Sequence, residues 1–415
     1  MRHSSLKSVV AALVIALVAV SCAEKPQFIT RDGSRFIRDG KPYYFVGANY
    51  WAGPLIASPG PSGDRARLSH DLDALKAAGV DNLRVLVGAD EGGANNISII
   101  PFLQSLSGDL DEDLLVGLDY FMAELGKRGM TAVLYMNNDC AWSGGYSHYV
   151  KRVIGGECPS FWIDSEYRPY ACKFISMPEC QELYFNFVRS IVGRVNSVTG
   201  VAYKDDPSIF SWQIANEPRA LSDDLHLEFR TWLHKSAELI RSLDPNHMIS
   251  TGMEGQQGCG NDPGQYEIIH ADPLIDYLTF HVWPDNHHFS DVFAVSDSVI
   301  RNHLDVAEKL GKPLVIEEFG LVRDESSLDP AAPATRRNDF YAWLFEKVKR
   351  SADEGGNLAG ANFWAFAGAG RARAAEWELG DAFLGDPPFE PQGKFSVFDC
   401  DTVTLDIIAA ANKAM

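Results

Sequence analysis

The sequence predicts an α/β fold, a closed (β/α)8 TIM barrel in which eight parallel strands alternate with helices and long loops follow the strands. Eight short apolar runs are separated by segments of helical periodicity. Several runs are almost continuously apolar, as in parallel strands that helices cover. No glycine-rich phosphate-binding turn follows the first run, which disfavours an open doubly wound sheet. The predicted strands are Tyr43–Asn49, Asn82–Val87, Thr131–Asn137, Ile209–Ala215, Met248–Met253, Tyr277–Trp283, Leu314–Glu318 and Ala361–Phe366.

The segments between the strands have the pattern of amphipathic helices. The segment 69–79 is typical, because Leu68, Leu72 and Leu75 recur at helical spacing and Gly79 suits the helix end. Two segments lack this pattern, and we expect them to be long loops after the third and eighth strands, on the face where barrel enzymes carry their chemistry. The other predicted helices are 114–129, 225–243 and 298–311, and the predicted loops are 138–178 and 376–401.

Residues 1–22 have the pattern of an export signal. Arg2 and Lys7 precede the apolar run Val9–Val20, which is too short to span a bilayer. The string Val18-Ala19-Val20-Ser21-Cys22 resembles a bacterial lipobox, in which cleavage leaves the cysteine as a lipid-modified amino terminus; an ordinary secretory peptide is the alternative. We therefore expect an exported lipoprotein of the outer membrane, cell surface or periplasm. Its predicted parts are the signal at 1–22, a tether at 23–35 and a single barrel domain at 36–415.

The charge of the chain restricts its partners. The chain has 415 residues and a net charge of −19, with a pI near 5.0. This acidity disfavours nucleic acid as a partner, because phosphate binding needs clustered Lys and Arg. A neutral polymer meets no such obstacle. We expect a monomer that contacts a membrane only through a lipid on Cys22.

Six cysteines follow the export signal. An even number in an exported protein suggests disulfides, although the sequence does not give their pairing. No C-x-x-C spacing supports a zinc site, and the group His281, Asp285, His287 and His288 has no known metal-ligand spacing. We therefore expect neither a metal nor a cofactor. The six cysteines are Cys140, Cys158, Cys172, Cys180, Cys259 and Cys400.

Two carboxylates end predicted strands on opposite walls of the barrel. Asn216-Glu217-Pro218 follows the fourth strand, and Glu318 ends the seventh. Two carboxylates on this face can cleave a glycosidic bond, since one protonates the leaving oxygen while the other attacks the anomeric carbon or activates water. Arg84, at the end of the second strand, suits the task of keeping a carboxylate ionised. Taken singly, each residue also has a structural explanation, such as an ion pair or a charge at a helix start.

Six short strings occur in the same order as in a known family. Together they resemble the β-mannanases of glycoside hydrolase family 5, in the subfamily shared by fungi and bacteria, and the resemblance extends from about residue 36 to the end. Asn-Glu-Pro alone occurs across many retaining barrel hydrolases, whereas Asp205-Asp206-Pro207 and Trp142-Ser143-Gly144-Gly145 narrow the resemblance to mannanases. The strings are Gly47-Ala48-Asn49-Tyr50-Trp51, Asn82-Leu83-Arg84-Val85, Asn216-Glu217-Pro218-Arg219, Phe280-His281-Val282-Trp283-Pro284, Glu317-Glu318-Phe319-Gly320 and Phe363-Trp364-Ala365-Phe366.

The resemblance implies a role for each matching polar residue. It implies that Glu217 is the acid/base and that Glu318 is the nucleophile, which leaves Glu317 as a structural residue. It also implies that Arg84 and Asn216 position the nucleophile and the sugar.

Further residues take implied roles around this pair. His281 is implied to lie beside the two carboxylates, and Arg219 to contact the sugar on the leaving-group side. Trp283 stands where many relatives carry a tyrosine that touches the nucleophile, and an indole N–H can donate a hydrogen bond but cannot accept one. Aromatic faces stack on the C–H faces of sugars. The residues expected to do so are Trp51, Trp142 and Trp364.

The sequence therefore predicts a secreted, retaining endo-β-1,4-mannanase that acts on mannan, glucomannan or galactomannan without a cofactor. Endo action is implied by the resemblance alone, since an exo enzyme would need loops that close one end of the cleft. Two alternatives stay open. One is a related endo-β-1,4-glucanase of the cellulase or xyloglucanase type; the other is a non-catalytic glycan-binding surface lipoprotein, against which the presence of both carboxylates counts.

Overall fold

Eight parallel strands form a barrel at the centre of the molecule. The computed structural model describes residues 27–92 and 99–415. In the barrel, each strand pairs in parallel with its neighbours in the order β8-β7-β6-β5-β4-β11-β10-β9. The predicted fold is thereby confirmed. The barrel strands are β4 (Phe45–Asn49), β5 (Asn82–Leu86), β6 (Thr131–Tyr135), β7 (Ile209–Gln213), β8 (Met248–Ser250), β9 (Leu278–Val282), β10 (Leu314–Phe319) and β11 (Leu358–Phe363).

The barrel closes between β8 and β9, the two strands at the ends of the pairing order. The Asp276 N–H donates to the carbonyl of Ile249 at 2.8 Å, and the His281 N–H donates to that of Glu254 at 3.1 Å. The eighth strand begins three residues before its predicted start and ends at Phe363. The next residues instead form a small parallel pair, β12 (Phe366–Gly368) with β13 (Val397–Phe398).

Helices surround the barrel and begin and end where their capping residues dictate. The helix that covers β6 shows both ends: the Asp111 carboxylate accepts a hydrogen bond from the Leu114 N–H, and Gly129 ends the helix at φ 63°, a conformation that glycine adopts without strain. The helices are α1 (Gly53–Ala57), α2 (Arg65–Ala77), α3 (Glu112–Arg128), α4 (Tyr146–Ile154), α5 (Asp164–Ala171), α6 (Lys173–Ser176), α7 (Pro178–Val192), α8 (His226–Leu243), α9 (Pro263–His270), α10 (Val292–Leu310), α11 (Thr335–Glu354) and α12 (Thr402–Ala414).

The predicted irregular loop at 138–178 is wrong, because this segment contains α4, α5 and α6. Its aromatic residues pack against each other and against α8. Tyr146 stacks on Phe174 at 4.4 Å between ring centroids, and Trp232 meets both rings edge-on at 5.6 and 5.2 Å. Burial of these rings stabilises the short helices. These aromatic residues therefore belong to a core between the short helices and α8.

The described part of the predicted tether is folded. Strands β1 (Thr30–Asp32), β2 (Arg35–Arg38) and β3 (Lys41–Tyr43) form an antiparallel sheet. Phe36 is fully buried and meets Phe210 and Tyr277 edge-on at 5.0 and 5.3 Å. This sheet covers the end of the barrel where the strands begin. From residue 30 onward, the segment predicted as a tether contributes strands to this sheet.

Two expectations concern the ends and the thiols of the chain. The export signal and Cys22 lie outside the described residues, so their prediction stands as it was made. Across 27–92 and 99–415, no helix has the length and apolar character needed to cross a bilayer.

All six described cysteines are free thiols. The disulfides considered from the sequence therefore do not form.

Candidate active site

Glu217 and Glu318 lie side by side at the carboxyl ends of β7 and β10. One oxygen of each carboxylate and one ring nitrogen of His281 all lie within 4.8 Å of one another. Glu217 has a φ of 47°, which is unusual for a residue with a side chain. Such strain persists at functional sites where the surroundings hold it. The strand ends therefore aim both carboxylates at one point.

Arg84 fixes the position of Glu318. Its guanidinium is fully buried and donates from Nη1 to Glu318 Oε1 at 2.6 Å. It also donates from Nη2 to Asn216 Oδ1 at 2.6 Å and from Nε to Gln213 Oε1 at 2.9 Å. Partners from β10 and from β7 with the segment after it thus hold one guanidinium, and charge-assisted bonds of this kind are geometrically specific. Arg84 itself lies in the middle of β5 and not at its predicted end. The sequence did not single out Gln213, whose side chain points into the barrel from the middle of an apolar run.

The Glu317 carboxylate lies inside the barrel, beneath the carboxylates of Glu217 and Glu318. It is buried and accepts two hydrogen bonds from Gln213 Nε2 at 2.8 and 2.7 Å. Arg84 Nε lies 3.5 Å from it. The neighbouring residues Glu317 and Glu318 therefore face different surroundings, and only Glu318 lines the pocket.

His281 lies between the two carboxylates. Its Nδ1 is 2.8 Å from Glu217 Oε1 and 3.4 Å from Glu318 Oε2. Burial disfavours the charged ring, but the charges of Glu318 and Glu217 offset this effect and raise the pKa of His281. Burial also opposes ionisation of Glu217, yet the His281 hydrogen bond and the charges of Arg219 and Arg84 lower its pKa to about 2. Burial raises the pKa of Glu318 against the opposing charges of His281 and Arg84.

Arg219 lies on the other side of Glu217 and donates hydrogen bonds to Glu254, a carboxylate that the sequence analysis did not single out. Its Nη2 donates to Glu254 Oε2 at 2.9 Å and to Glu217 Oε2 at 3.2 Å, while Nε donates to Glu254 Oε1. Burial and the charge of Glu217 raise the pKa of Glu254. Glu254 directly follows the predicted fifth strand, so the rule that found Glu217 would also have found it.

Aromatic side chains form the walls of the pocket. Trp142, Trp283 and Trp364 line it, whereas Trp51 does not. Trp51 is 1% exposed, its indole N–H donates to the Gly385 carbonyl at 2.9 Å, and it meets Trp142 edge-on at 5.6 Å. The expectation that Trp51 stacks on sugar is therefore wrong: its ring supports Trp142 from behind.

Trp283 does not take over the contact that the missing tyrosine makes in relatives. It packs edge-on against Trp364 at 6.1 Å and, with its ring plane tilted, against Phe395 at 4.9 Å. Within the described part of the chain, no hydrogen bond joins Trp283 to Glu318. Nδ1 of His281 approaches Glu318 Oε2 instead, at 3.4 Å.

The pocket over the two carboxylates has a volume of about 200 Å³. The last loop contributes residues that no sequence signal marked, and burial and nearby Asp386 raise the pKa of one of them, Glu390, to about 7. Phe389 from the same loop meets Trp142 at 6.3 Å. The lining residues are Cys140, Trp142, Asn216, Glu217, Arg219, Glu254, Trp283, Asn286, His287, Glu318, Trp364, Pro387, Phe389 and Glu390.

The histidine-rich group weighed as a metal site does not converge. Asp285 instead accepts hydrogen bonds from the Val322 N–H at 3.0 Å and from Arg336 at 2.8 Å. Among the described residues, the set with metal-like spacing is Glu217, His281 and Glu318. The buried guanidinium of Arg84 beside Glu318 makes this place unfavourable for a cation.

Comparisons with known proteins agree with this geometry. A family model described as GH family 5 beta-mannosidase-like matches residues 26–415. The mannan endo-1,4-beta-mannosidase 1 of Oryza sativa subsp. japonica is 31% identical over 358 residues, which cover 81% of this chain and 78% of that protein. A solved glycoside hydrolase family 5 mannosidase from Rhizomucor miehei, in the form of a point mutant, has a TM-score of 0.82 at 30% identity, covering 93% of this chain and 97% of that one. The endo-1,4-beta-mannanase of the same organism has a TM-score of 0.71 at 23% identity, covers 94% of this chain and 99% of that one, and shares the fold.

Proposed function

Since the chain belongs to glycoside hydrolase family 5, in its β-mannosidase-like group, we propose that it hydrolyses β-1,4-mannosidic bonds of mannan, glucomannan or galactomannan. The observation that carries this proposal is the convergence of Glu217 and Glu318 on one pocket, with oxygens within 4.8 Å. The relatives named mannan endo-1,4-beta-mannosidase support mannan as the polymer. No cofactor enters this reaction, because the two carboxyl groups supply its acid, base and nucleophile.

The mechanism that fits this spacing is retaining double displacement. Glu318 attacks the anomeric carbon while Glu217 protonates the departing oxygen, and Glu217 then activates water against the glycosyl-enzyme. Retaining enzymes hold their carboxyl groups about 5–5.5 Å apart, whereas inverting enzymes leave about 6.5–9.5 Å for a water molecule. The close approach of the two side chains leaves no room for that water.

When substrate binds, Glu217 must take up the proton that the first step of the reaction requires. In the ligand-free site the pKa of Glu217 is low and that of Glu318 is raised, whereas the first step needs a protonated Glu217. The Glu217 side chain is 16% exposed and that of Glu318 is 5% exposed. A bound sugar therefore removes more water from Glu217, and loss of water raises a carboxyl pKa. His281 can meanwhile donate to an ionised Glu318, from which it lies 3.4 Å away.

A second candidate is exo action, in which single mannosyl units leave from a chain end. It is favoured by the contact between Trp142 and Phe389, which joins the third and eighth strand-end loops at 6.3 Å between ring centroids. The similar solved mannosidase adds support, since its name does not specify an endo enzyme. Endo action remains the first proposal, because the named curated relatives are endo enzymes.

Product analysis separates these proposals. Purified protein is incubated with linear mannan, glucomannan, galactomannan and carboxymethylcellulose, and new reducing ends and the first products are measured. Oligosaccharides of several lengths indicate endo action, and mannose alone indicates exo action. Faster cleavage of carboxymethylcellulose would favour the glucanase, and mannan binding without new reducing ends would favour the non-catalytic alternative.

The two carboxylates are then tested one by one. Glu318→Ala is expected to abolish turnover. Glu217→Ala is expected to regain activity with azide on a mannoside with a good leaving group, and the β-mannosyl azide that forms retains its configuration. An α-configured azide, or an active Glu318→Ala variant, would contradict the mechanism.

The chain is also proposed to be an exported lipoprotein that works as a monomer. Within the described chain, a single copy supplies all the lining residues of the pocket. The first described residues lie beside the starts of β6 and β7, opposite the pocket, and four residues lie between Cys22 and Gln27. An extended chain spans at most about 3.6 Å per residue, so a lipid on Cys22 would keep the barrel bottom near the membrane and direct the pocket outward. Palmitate labelling that persists in Cys22→Ser would contradict this proposal.

A further inference from the structure

Three carboxyl groups surround the guanidinium of Arg219. The Glu254 carboxylate accepts hydrogen bonds from Nε and Nη2 of Arg219, and the Glu217 carboxylate also accepts one from Nη2, at 3.2 Å. The remaining nitrogen, Nη1, lies 3.7 Å from Asp139 Oδ2. One guanidinium therefore lies beside three carboxyl groups. If Asp139 is ionised and draws the guanidinium towards itself, the guanidinium stabilises the charged form of Glu217 less.

Asp139 is built into the same strand-end layer as the catalytic acid. It is 4% exposed, and its N–H donates to the carbonyl of Asn216, the neighbour of Glu217, at 3.1 Å. The Tyr167 hydroxyl lies 3.5 Å from its carbonyl. Among the described residues its Oδ1 has no hydrogen-bond partner. The backbone is thus fixed while the carboxyl group is left with Arg219 as its nearest charged neighbour.

We propose that Asp139 is a positioning residue for the acid/base, which acts by drawing the charge of Arg219 away from Glu217. The proposal rests on the mannosidic hydrolysis proposed above. An ionised Asp139 competes for the guanidinium and also repels the negative charge of Glu217. Both effects favour the protonated form of Glu217, the form that the first step requires.

The effect grows as the pH rises. Burial raises the pKa of Asp139 to about 7, against the attraction of Arg219. Asp139 is therefore neutral in acid and becomes charged above about pH 7, where Glu217 in the substrate complex is most at risk of losing its proton. Burial raises the pKa of Cys140, Tyr146 and Tyr167, so these neighbours stay neutral over this range. The charged and titratable groups that face Asp139 are Arg168, Arg219, Glu217, Glu254, Cys140, Tyr146 and Tyr167.

The test is the pH profile of kcat for Asp139→Asn, since asparagine mimics the neutral acid and kcat reports the protonation of the substrate complex. The variant is expected to match the wild type near about pH 5.5, and to fall about three-fold below it near about pH 8.5, because the alkaline limb moves to lower pH. The shift is expected to shrink in an Arg219→Gln background, because the effect passes mainly through Arg219. An alkaline limb that stays in place or moves upward overturns the proposal.

Asp90→Asn is the matched control, because Asp90 is also a buried aspartate in a strand-end loop, and its carboxylate accepts from the Gly145 N–H. Its profile is expected to follow the wild type; an equal shift in this control would show a general effect of buried charge and also overturn the proposal. A wild type that cleaves no mannoside refutes the proposed function instead. The inference is then decided by NMR titration of the ¹³C-labelled Asp139 carboxyl, whose pKa is expected to be lower in Glu217→Gln, because the charge of Glu217 contributes to raising it and the coupling between the two groups is reciprocal. An unchanged pKa of Asp139 in this variant overturns the inference.

Discussion

Nη1 of Arg84 lies 2.6 Å from Oε1 of Glu318, and the side chain of neither residue is more than 5% exposed. This pair joins the second and seventh strands of the barrel across its interior. Loss of one partner from a buried pair costs about 3–5 kcal/mol, since the other charge is left without compensation. The pair therefore contributes both to the stability of the barrel and to the orientation of Glu318, the proposed nucleophile.

Arg84→Lys is expected to reduce kcat at least about 100-fold, because lysine keeps the charge but loses the planar fork that also holds Asn216 and Gln213. The measurement is kcat on mannan together with the melting temperature. Arg323→Lys is the control, since Arg323 is equally buried and donates to Asp401 at 2.6 Å outside the pocket. It is expected to lower the melting temperature while kcat changes less than two-fold. A comparable loss of kcat in both variants would contradict a specific role of Arg84.

Asp90 is expected to make the fold less stable as the pH rises. Burial raises its pKa from 3.8 to about 8, against the hydrogen bond from Gly145. Between these pH values the native state holds a proton that the unfolded state releases, so stability is full below about pH 4 and is lost as the pH rises towards 8. Each pH unit in this window costs about 1.4 kcal/mol.

Asp90→Asn removes this loss, so its melting temperature relative to the wild type is expected to increase from about pH 5 to about pH 8. Asp305→Asn, at a surface position of α10, is the control for the loss of one acidic group and is expected to show no such trend. A constant difference between Asp90→Asn and the wild type across this range would show that Asp90 does not titrate in the fold.

Trp51 and Trp142 are expected to respond differently to substitution. Trp142→Ala removes a wall of the pocket and is expected to raise KM about ten-fold, which corresponds to about 1.4 kcal/mol of binding. Trp51→Phe keeps a ring behind Trp142 but loses the hydrogen bond to Gly385, so it is expected to lower stability by about 1 kcal/mol with little change in KM. A rise in KM for Trp51→Phe as large as that for Trp142→Ala would show that Trp51 does take part in binding the sugar.

The six free cysteines predict that reducing agents do not affect the fold. The melting temperature of a chain that begins after residue 22 is expected to be the same with and without dithiothreitol. Thiol titration of the unfolded, unreduced chain is expected to give six thiols, since Cys140 and the other five are free. A count of four or fewer would show that a disulfide forms.

Much of the site follows from sequence because strand ends and local motifs are short-range features. The apolar run before Asn216 and the one before Glu317 place Glu217 and Glu318 at strand ends, and a closed barrel brings all strand ends to one face. Simple alternation does not separate Glu317 from Glu318, because the strand register shifts between Ile316 and Glu318 and both carboxylates approach Arg84. The family resemblance, and not a local rule, implied which of the two is the nucleophile.

Other features depend on contacts between distant segments. The sequence marked Trp51 and Trp142 alike as residues after strand ends, but the last loop covers Trp51 through Gly385 and leaves Trp142 in the pocket. The arrangement of Glu254, Arg219 and Asp139 joins three strand-end loops that are far apart in sequence. No local pattern encodes which carboxylate reaches the guanidinium.

The sequence by itself determined the barrel and the positions of Glu217 and Glu318 at strand ends, since these depend on periodicity and on residues next to strand ends. Only the tertiary structure decided which aromatic rings face the sugar, how one guanidinium is shared among three acids, and that residues 30–38 cover the barrel bottom. The physical reason is that burial and charge depend on every neighbour in space, and the loops that supply those neighbours close over distances that local propensities do not encode.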